Sequence, residues 1–258
     1  MSKFETFDFS QAIPIVAEDT EFFPLLTQED EDNMANAEIP EALSILPLRN
    51  TVLFPGVVIP ITVGRDKSIK LVKEAYKGSK TIGVVSQKDM TVEDPGFEEL
   101  NKVGTVAHII KVLQMPDGNT TVIIQGKQRF NLLEIVGTEP YLKARVEKLY
   151  EAKPKMTKHF KATISTLKEM ALQIIQLSPN LPSEAGIAIK NIESPSFLIN
   201  FISSNINVEM TKKQELLQIP KVENRAKLLL ELLTTEIQML ELKHQIQNKV
   251  RVDLDKQQ

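Results

Sequence analysis

The chain has 258 residues, 31 Lys plus Arg against 34 Asp plus Glu, and a formal net charge of −3. With 42% hydrophobic and 25% charged residues it is too apolar to be wholly disordered and lacks the basic excess of a general nucleic-acid binder. Zero Cys excludes disulfides, thiolate metal sites and cysteine nucleophiles, and only three His (His108, His159, His244) argue against a histidine-built metal centre. The length predicts two domains of moderate size. No apolar run approaches the ~20 residues of a membrane span, and the N-terminus lacks the basic-then-apolar order of a signal peptide, so a cytoplasmic, reducing location is expected.

The charge is unevenly placed. Residues 1–40 carry ten acids and one base, Lys3, giving −9, so the remainder must carry +6 for the chain to total −3. This stretch reads as an acidic flexible leader: its apolar islands have no sustained period, and it ends in the acidic run Gln28 to Asn33. That run lacks the Gly turn and distal Glu of a calcium loop.

From Ala42 to Tyr150, short β-branched runs alternate with Pro and Gly. Leu43 to Leu48 and Val57 to Val63 read as strands on either side of the Phe54-Pro55-Gly56 turn. Asp66 is the expected N-cap of one helix with apolar positions Ile69, Leu71, Val72 and Ala75, ended by Gly78. Thr81 to Val85 is a buried strand. Val103 to Met115 and Thr121 to Gln125 flank the hairpin turn Pro116-Asp117-Gly118-Asn119. Gly126-Lys127 reads as a further hairpin turn, with Gly126 at positive φ and Arg129 anchoring it, before strands Arg129 to Val136 and Leu142 to Leu149. About six strands with one helix predict a compact barrel-like β domain.

After Pro154 the period changes to three and four. Phe160, Ile164, Leu167, Ala171, Ile174 and Ile175 share a helix face closed by Ser178-Pro179. Ser194-Pro195 opens another helix, and Thr211 with Gln214 predicts a capping box for a short helix to Ile219. Pro220 then starts the longest segment, on which Val222, Ala226, Leu229, Leu233, Ile237, Leu240 and His244 form one stripe; because the stripe fades after Leu242, the helix is expected to continue to a partner beyond a cut at Gln258.

No catalytic constellation accompanies these elements. Gly126-Lys127 is followed by Gln128 rather than a hydroxyl residue and lies between strands, so it does not read as a phosphate loop. Gly78-Ser79 lacks a nucleophile elbow, no H-E-x-x-H occurs, and Glu98-Glu99 falls in a polar loop. The apolar residues beside turns, Phe54, Val57, Met90, Phe97, Leu113 and Met115, are candidates for contact with protein segments, with packing into the barrel core as the competing reading of each. Aromatic residues at 5% with no Trp supply a poor base-stacking platform.

The run Leu46-Pro47-Leu48-Arg49-Asn50-Thr51-Val52-Leu53-Phe54-Pro55-Gly56-Val57-Val58-Ile59-Pro60-Ile61-Thr62-Val63-Gly64-Arg65 closely resembles the opening signature of the amino-terminal domain of the Lon family of ATP-dependent proteases. Val122 to Phe130 resembles the family's V-x-x-x-G-x-x-R-F segment, and Pro140 to Glu147 its P-Y-L-x-A-x-V-E strand. The helical part is similar to the bundle and long helix that precede the family's ATPase module. This resemblance implies an α+β architecture: a PUA-like pseudo-barrel followed by an all-α bundle ending in a long helix. The expected domains are a leader over 1–40, the β domain over 41–152 and the bundle over 153–258.

The function implied is substrate recognition and assembly within an ATP-dependent serine protease that degrades misfolded and regulatory proteins. The fragment would have no catalysis, cofactor or metal of its own, the ATP, Mg and Ser-Lys chemistry lying beyond Gln258. Its partners would be unfolded or tagged proteins and further copies of itself in a hexamer, through Leu229, Leu233, Ile237 and Leu240. An RNA-binding barrel and a stand-alone adaptor stay open as alternatives, and Arg49 and Arg65 are expected to hold loop carbonyls or carboxylates.

Overall fold

The computed structural model describes residues 26–116, 118–178 and 183–255. The leader expected over 1–40 lies outside the described residues up to position 25, but its end is ordered differently: Gln28–Asn36 forms helix α1. Thr27 caps it reciprocally with Asp30, the Asp30 N–H donating to Thr27 Oγ1 at 3.1 Å and the Thr27 N–H to Asp30 Oδ2 at 3.0 Å. Thr-x-x-Asp is a capping-box signal, and Glu29, Asp30 and Glu31 sit at the positive end of the helix dipole.

Six strands follow: β1 (Ala42–Leu48), β2 (Val58–Val63), β3 (Thr81–Ser86), β4 (Val103–Gln114), β5 (Thr120–Gly137) and β6 (Lys143–Lys148), with helix α2 (Asp66–Lys77) between β2 and β3. Their order is β2-β5-β4-β3-β1-β6, and β5 also pairs with β6, so five strands close on themselves and β2 adds to the first half of β5. β1 and β3 are parallel, joined through β2 and α2; the other pairs are antiparallel. Inside lie Leu43, Ile45, Val85, Leu100, Val106, Phe130, Leu132, Ala144 and Val146. Arg65 rather than Asp66 occupies the N-cap of α2, making no side-chain cap, while Asp66 is the first helical residue.

β5 departs most from expectation. It runs unbroken through Gly126 and Lys127, so there is no second hairpin, and the positive-φ glycines among the described residues are Gly56 and Gly118. Gly126 is there for close approach: a Cβ would collide with the Phe54 carbonyl oxygen, whose chain segment is fastened by Gly56 N–H to Gly126 O at 2.8 Å and Gly126 N–H to Val57 O at 2.9 Å.

The helices are α3 (Lys158–Leu177), α4 (Ser183–Asn191), α5 (Pro195–Asn205), α6 (Met210–Gln218) and α7 (Val222–Asp255). The chain forms two compact units that are not consecutive in sequence. One comprises Leu26–Pro154 with Ser196–Arg225; the other contains Lys155–Pro195 and Ala226–Gln258. α5 and α6 join the barrel unit because polar side chains tie them to its backbone: Asn200 Nδ2 donates to Pro55 O at 3.1 Å and Gln214 Nε2 to Val103 O at 2.9 Å. Gln214 therefore does not close a capping box with Thr211; α6 starts after Glu209 without a side-chain cap.

In the other unit, Thr157 caps α3 by accepting from the Phe160 N–H at 3.1 Å, and Phe160, Leu167, Ala171 and Ile174 form its buried face. Lys168 Nζ donates to Ile192 O at 2.6 Å, and Gln173 Nε2 to Glu241 Oε1 at 3.1 Å, tying α3 to the end of α4 and to α7.

Candidate functional site

The Phe54-Pro55-Gly56-Val57 turn is scaffold rather than contact surface. Gly56 takes φ +82°, and Phe54 and Val57 are buried, which corrects their assignment as exposed contacts: the turn folds inward onto Gly126. Its approach is satisfied from the barrel, by Ser86 Oγ donating to Thr51 O and Thr105 Oγ1 to Leu53 O, each at 2.6 Å. The carbonyl left outward, Pro55 O, receives Asn200 of α5. Apolar residues next to a turn signal a core plug here.

Asn200 leads to a buried charge cluster. Arg225, the largest fully buried side chain among the described residues, donates to Asn200 Oδ1 at 2.9 Å, to Glu151 Oε2 at 2.6 Å and to Ile219 O at 2.8 Å. Arg129 donates to the same Glu151 oxygen at 2.8 Å and to Leu217 O and Ile219 O at 2.8 and 3.0 Å. Burial first, then the adjacent Arg225, pulls the Arg129 guanidinium down to about 10, with Glu151 offsetting part of the effect. Arg129 thus anchors the α6–α7 turn, not a hairpin. Arg225, Glu151 and Asn200 carry no motif in the sequence; the available signal was Arg225 lying within the apolar stripe beside Val222 and Ala226.

Arg49 and Arg65 act as expected. Arg65 donates to Pro47 O at 2.7 Å, Glu93 O at 2.9 Å and Gln87 Oε1 at 2.9 Å, and Arg49 pairs with the Glu93 carboxylate at 2.8 Å. Together they hold the loop between β3 and β4. That loop carries Met90, which is exposed, and Phe97, which packs partly on the core with Lys102 Nζ over its ring at 3.1 Å. Leu113 and Met115, both half-buried, stand at the end of the β4–β5 hairpin, where Met115 N–H donates to Asn119 O at 2.8 Å. Of the six contact candidates, four therefore retain exposed surface, on two segments.

No phosphate cradle exists at Gly126-Lys127: the Gly126 N–H is committed to Val57 O, and Lys127 Nζ donates to Gln125 Oε1 at 2.6 Å. These residues do not fit ATP and Mg. On α7, Leu229, Leu233 and Ile237 are buried within the chain and Leu240 is half-buried, so the stripe expected to bind other copies is intrachain core. Exposed apolar residues follow instead at Met239, Leu242, Ile246 and Val250. Among the described residues no helix is long and apolar enough to cross a membrane.

The family model of the ATP-dependent protease La (LON) substrate-binding domain matches residues 42–235, barrel and helices together. The chain belongs to the Lon substrate-binding domain family. The Lon protease of Flavobacterium johnsoniae is 56% identical over 241 residues, and that of Cytophaga hutchinsonii 51% over 242, each alignment covering 93% of this chain and 30% of the relative. The chain thus spans about a third of the length of these curated relatives, and within that span it resembles solved Lon N-terminal domains. The N-terminal domain of a Mycobacterium avium complex Lon protease superposes with TM-score 0.63 at 21% identity, over 75% of this chain and 98% of that one. A Lon N-terminal domain protein from Xanthomonas campestris gives 0.55 at 17%, over 74% and 97%. At those identities the likeness is one of fold. The Lon signature residues 46–65 are now explained physically: they build the inward turn and the Arg65 clamp.

Proposed function

We propose that this chain is the substrate-recognition and assembly region of an ATP-dependent serine protease, taking up exposed apolar segments of misfolded and regulatory proteins in the cytoplasm. ATP and Mg would act in other modules of the parent. The observation that carries the reading is the family match across barrel and helices, and the surface proposed is the set of exposed or half-buried apolar side chains on the β3–β4 loop and at the end of the β4–β5 hairpin, Met90, Phe97, Leu113 and Met115. Met adapts to varied partners because its side chain is unbranched and polarisable, and a rigid scaffold lowers the entropy cost of presenting it. Titration of a labelled unfolded polypeptide against the chain tests this. Met90→Glu with Met115→Glu should weaken binding about tenfold; unchanged affinity would remove this surface from the reading.

Self-association in the parent is proposed to use the outer part of α7. Met239, Leu242, Ile246 and Val250 recur at three- and four-residue spacing and are each more than half exposed or at the half mark, at 63%, 50%, 55% and 54%. Such a row on a helix suits a second helix of the same kind. Sedimentation at rising concentration should show a weak dimer that Leu242→Glu with Ile246→Glu abolishes, whereas a strict monomer at every concentration would exclude this row as a contact of the isolated chain.

A further inference from the structure

α1 lies on the barrel without a buried residue of its own: every one of its described side chains is exposed or half-buried. Its flanks supply the apolar attachment. Leu26 sits against Gly56 beside Phe197, and Ile39 packs on the barrel core. Between them, barrel residues reach for main-chain oxygens and carboxylates. Lys148 Nζ donates to Ala35 O at 2.7 Å and to Ala37 O at 2.8 Å, and Gln128 Nε2 donates to the same Ala37 O at 2.7 Å. Lys153 Nζ meets the Asp32 carboxylate at 2.7 and 2.8 Å, and Lys127 lies within Coulombic reach of Asp30.

Two features separate this from ordinary surface packing. First, the Lys148 and Gln128 contacts end on the Ala35 and Ala37 carbonyls at the C-terminal end of α1, where a helix leaves its acceptors open, so they read a helix end whatever its side chains. Second, Gln128 is 93% buried by its 7% exposure, and its Oε1 has no hydrogen-bond partner although Nε2 has one. A buried primary amide with its donor satisfied and its acceptor vacant can still accept from one N–H of a polypeptide.

We infer that Lys127, Gln128, Lys148 and Lys153 form a docking surface for an acidic polypeptide segment of a client protein that ends a helix there, a place the chain's own residues 30–37 occupy as an internal competitor. The inference rests on the reading of the barrel as a polypeptide-binding domain and goes beyond it in naming a second surface, its charge preference and its occupant. Because α1 buries none of its described side chains and its ion pair, Asp32 with Lys153, is exposed and screened by salt, the competitor is displaceable.

The test titrates labelled acidic and basic unfolded peptides of matched length against the full 258-residue chain. Asp30→Asn with Asp32→Asn, which loosens α1, should tighten the acidic peptide about three- to tenfold. Glu193→Gln with Glu231→Gln changes net charge equally at exposed acids of the other unit and should leave affinity unaltered. Adding Lys148→Ala to the first pair should cancel the gain. Equal affinity of the native chain and D30N/D32N overturns the inference while leaving the polypeptide-binding reading intact, and a like gain from the Glu193 and Glu231 pair overturns it as bulk electrostatics. Absence of binding by any variant overturns both. Displacement of the peptide by single-stranded RNA at equal affinity would also overturn it, by showing that the lysines take any polyanion rather than a peptide segment.

Discussion

Two residues apart on β5, Lys127 and Arg129 sit in unequal surroundings. Arg129 is 3% exposed and shares Glu151 with the fully buried Arg225, inside a seam that also uses Asn200, Gln214 and the carbonyls of residues 217 and 219. Lys127 is half-buried and within Coulombic reach of Asp30, while Lys148 and Lys153 meet α1 where solvent reaches. The charges are alike, but the cost of removing a partner is not. In the seam a lost carboxylate strands two desolvated guanidiniums, whereas at α1 water replaces whatever is lost. Buried charge here fixes α5 and α6 to the barrel, and exposed charge leaves α1 exchangeable.

The sharpest way to break this contrast is Glu151→Ala. With 26% of the Glu151 side chain exposed, the loss should fall near the lower end for a broken buried pair, about 3 kcal/mol by urea unfolding. A loss below about 1 kcal/mol would put the seam in the same class as the surface pairs. Gly126→Ala comes next. Its Cβ would meet the Phe54 backbone, which has no flexible end to give way, so a destabilisation of about 1–3 kcal/mol is expected; a neutral result would mean that the turn can lift without cost.

Lys153→Ala should cost less than about 1 kcal/mol, and that cost should vanish in molar salt, since Lys153 and Asp32 are 70% and 38% exposed. The same salt should leave the Glu151→Ala penalty nearly unchanged. The smallest effect concerns pH. Burial first, then Lys127 and Lys80, holds His108 below its ordinary value, so the folded state resists its protonation. As pH falls below the unfolded value of about 6.5, the unfolded chain takes up that proton first and stability declines until the folded pKa is passed. Unfolding midpoints from pH 7 to 5 should show a shallower decline in His108→Gln than in the native chain.

Most of the barrel was legible because its strands are β-branched runs between Pro and Gly, and the turn at Gly118 has the positive φ its composition predicts. Gly126 was misread because a glycine needed for close approach looks the same in sequence as one needed for a turn, and its neighbour, Phe54, is remote in the chain. The contact residues were legible only in part. Turn-side apolar residues divide between core, as Phe54 and Val57, and surface, as Met90, according to which way the turn folds. Likewise a stripe such as Leu229, Leu233 and Ile237 has the same period whether its partner is the same chain or another. The Glu151 cluster was hidden for a different reason: it assembles three polar residues from β5, the segment after β6 and the start of α7, none near another in sequence. The α1 capping box was visible at Thr27 and Asp30 but overshadowed by the surrounding acidity.

Amide hydrogen exchange of the full chain, with and without a saturating acidic unfolded peptide, separates the exchangeable contact from the fixed one in a single measurement. Amides of residues 30–37 should lose protection as the peptide displaces α1, while those of 213–225 around the Arg129–Glu151–Arg225 seam should keep theirs. Unchanged or increased protection at 30–37 with the peptide bound, or opening of the seam in its place, would contradict it.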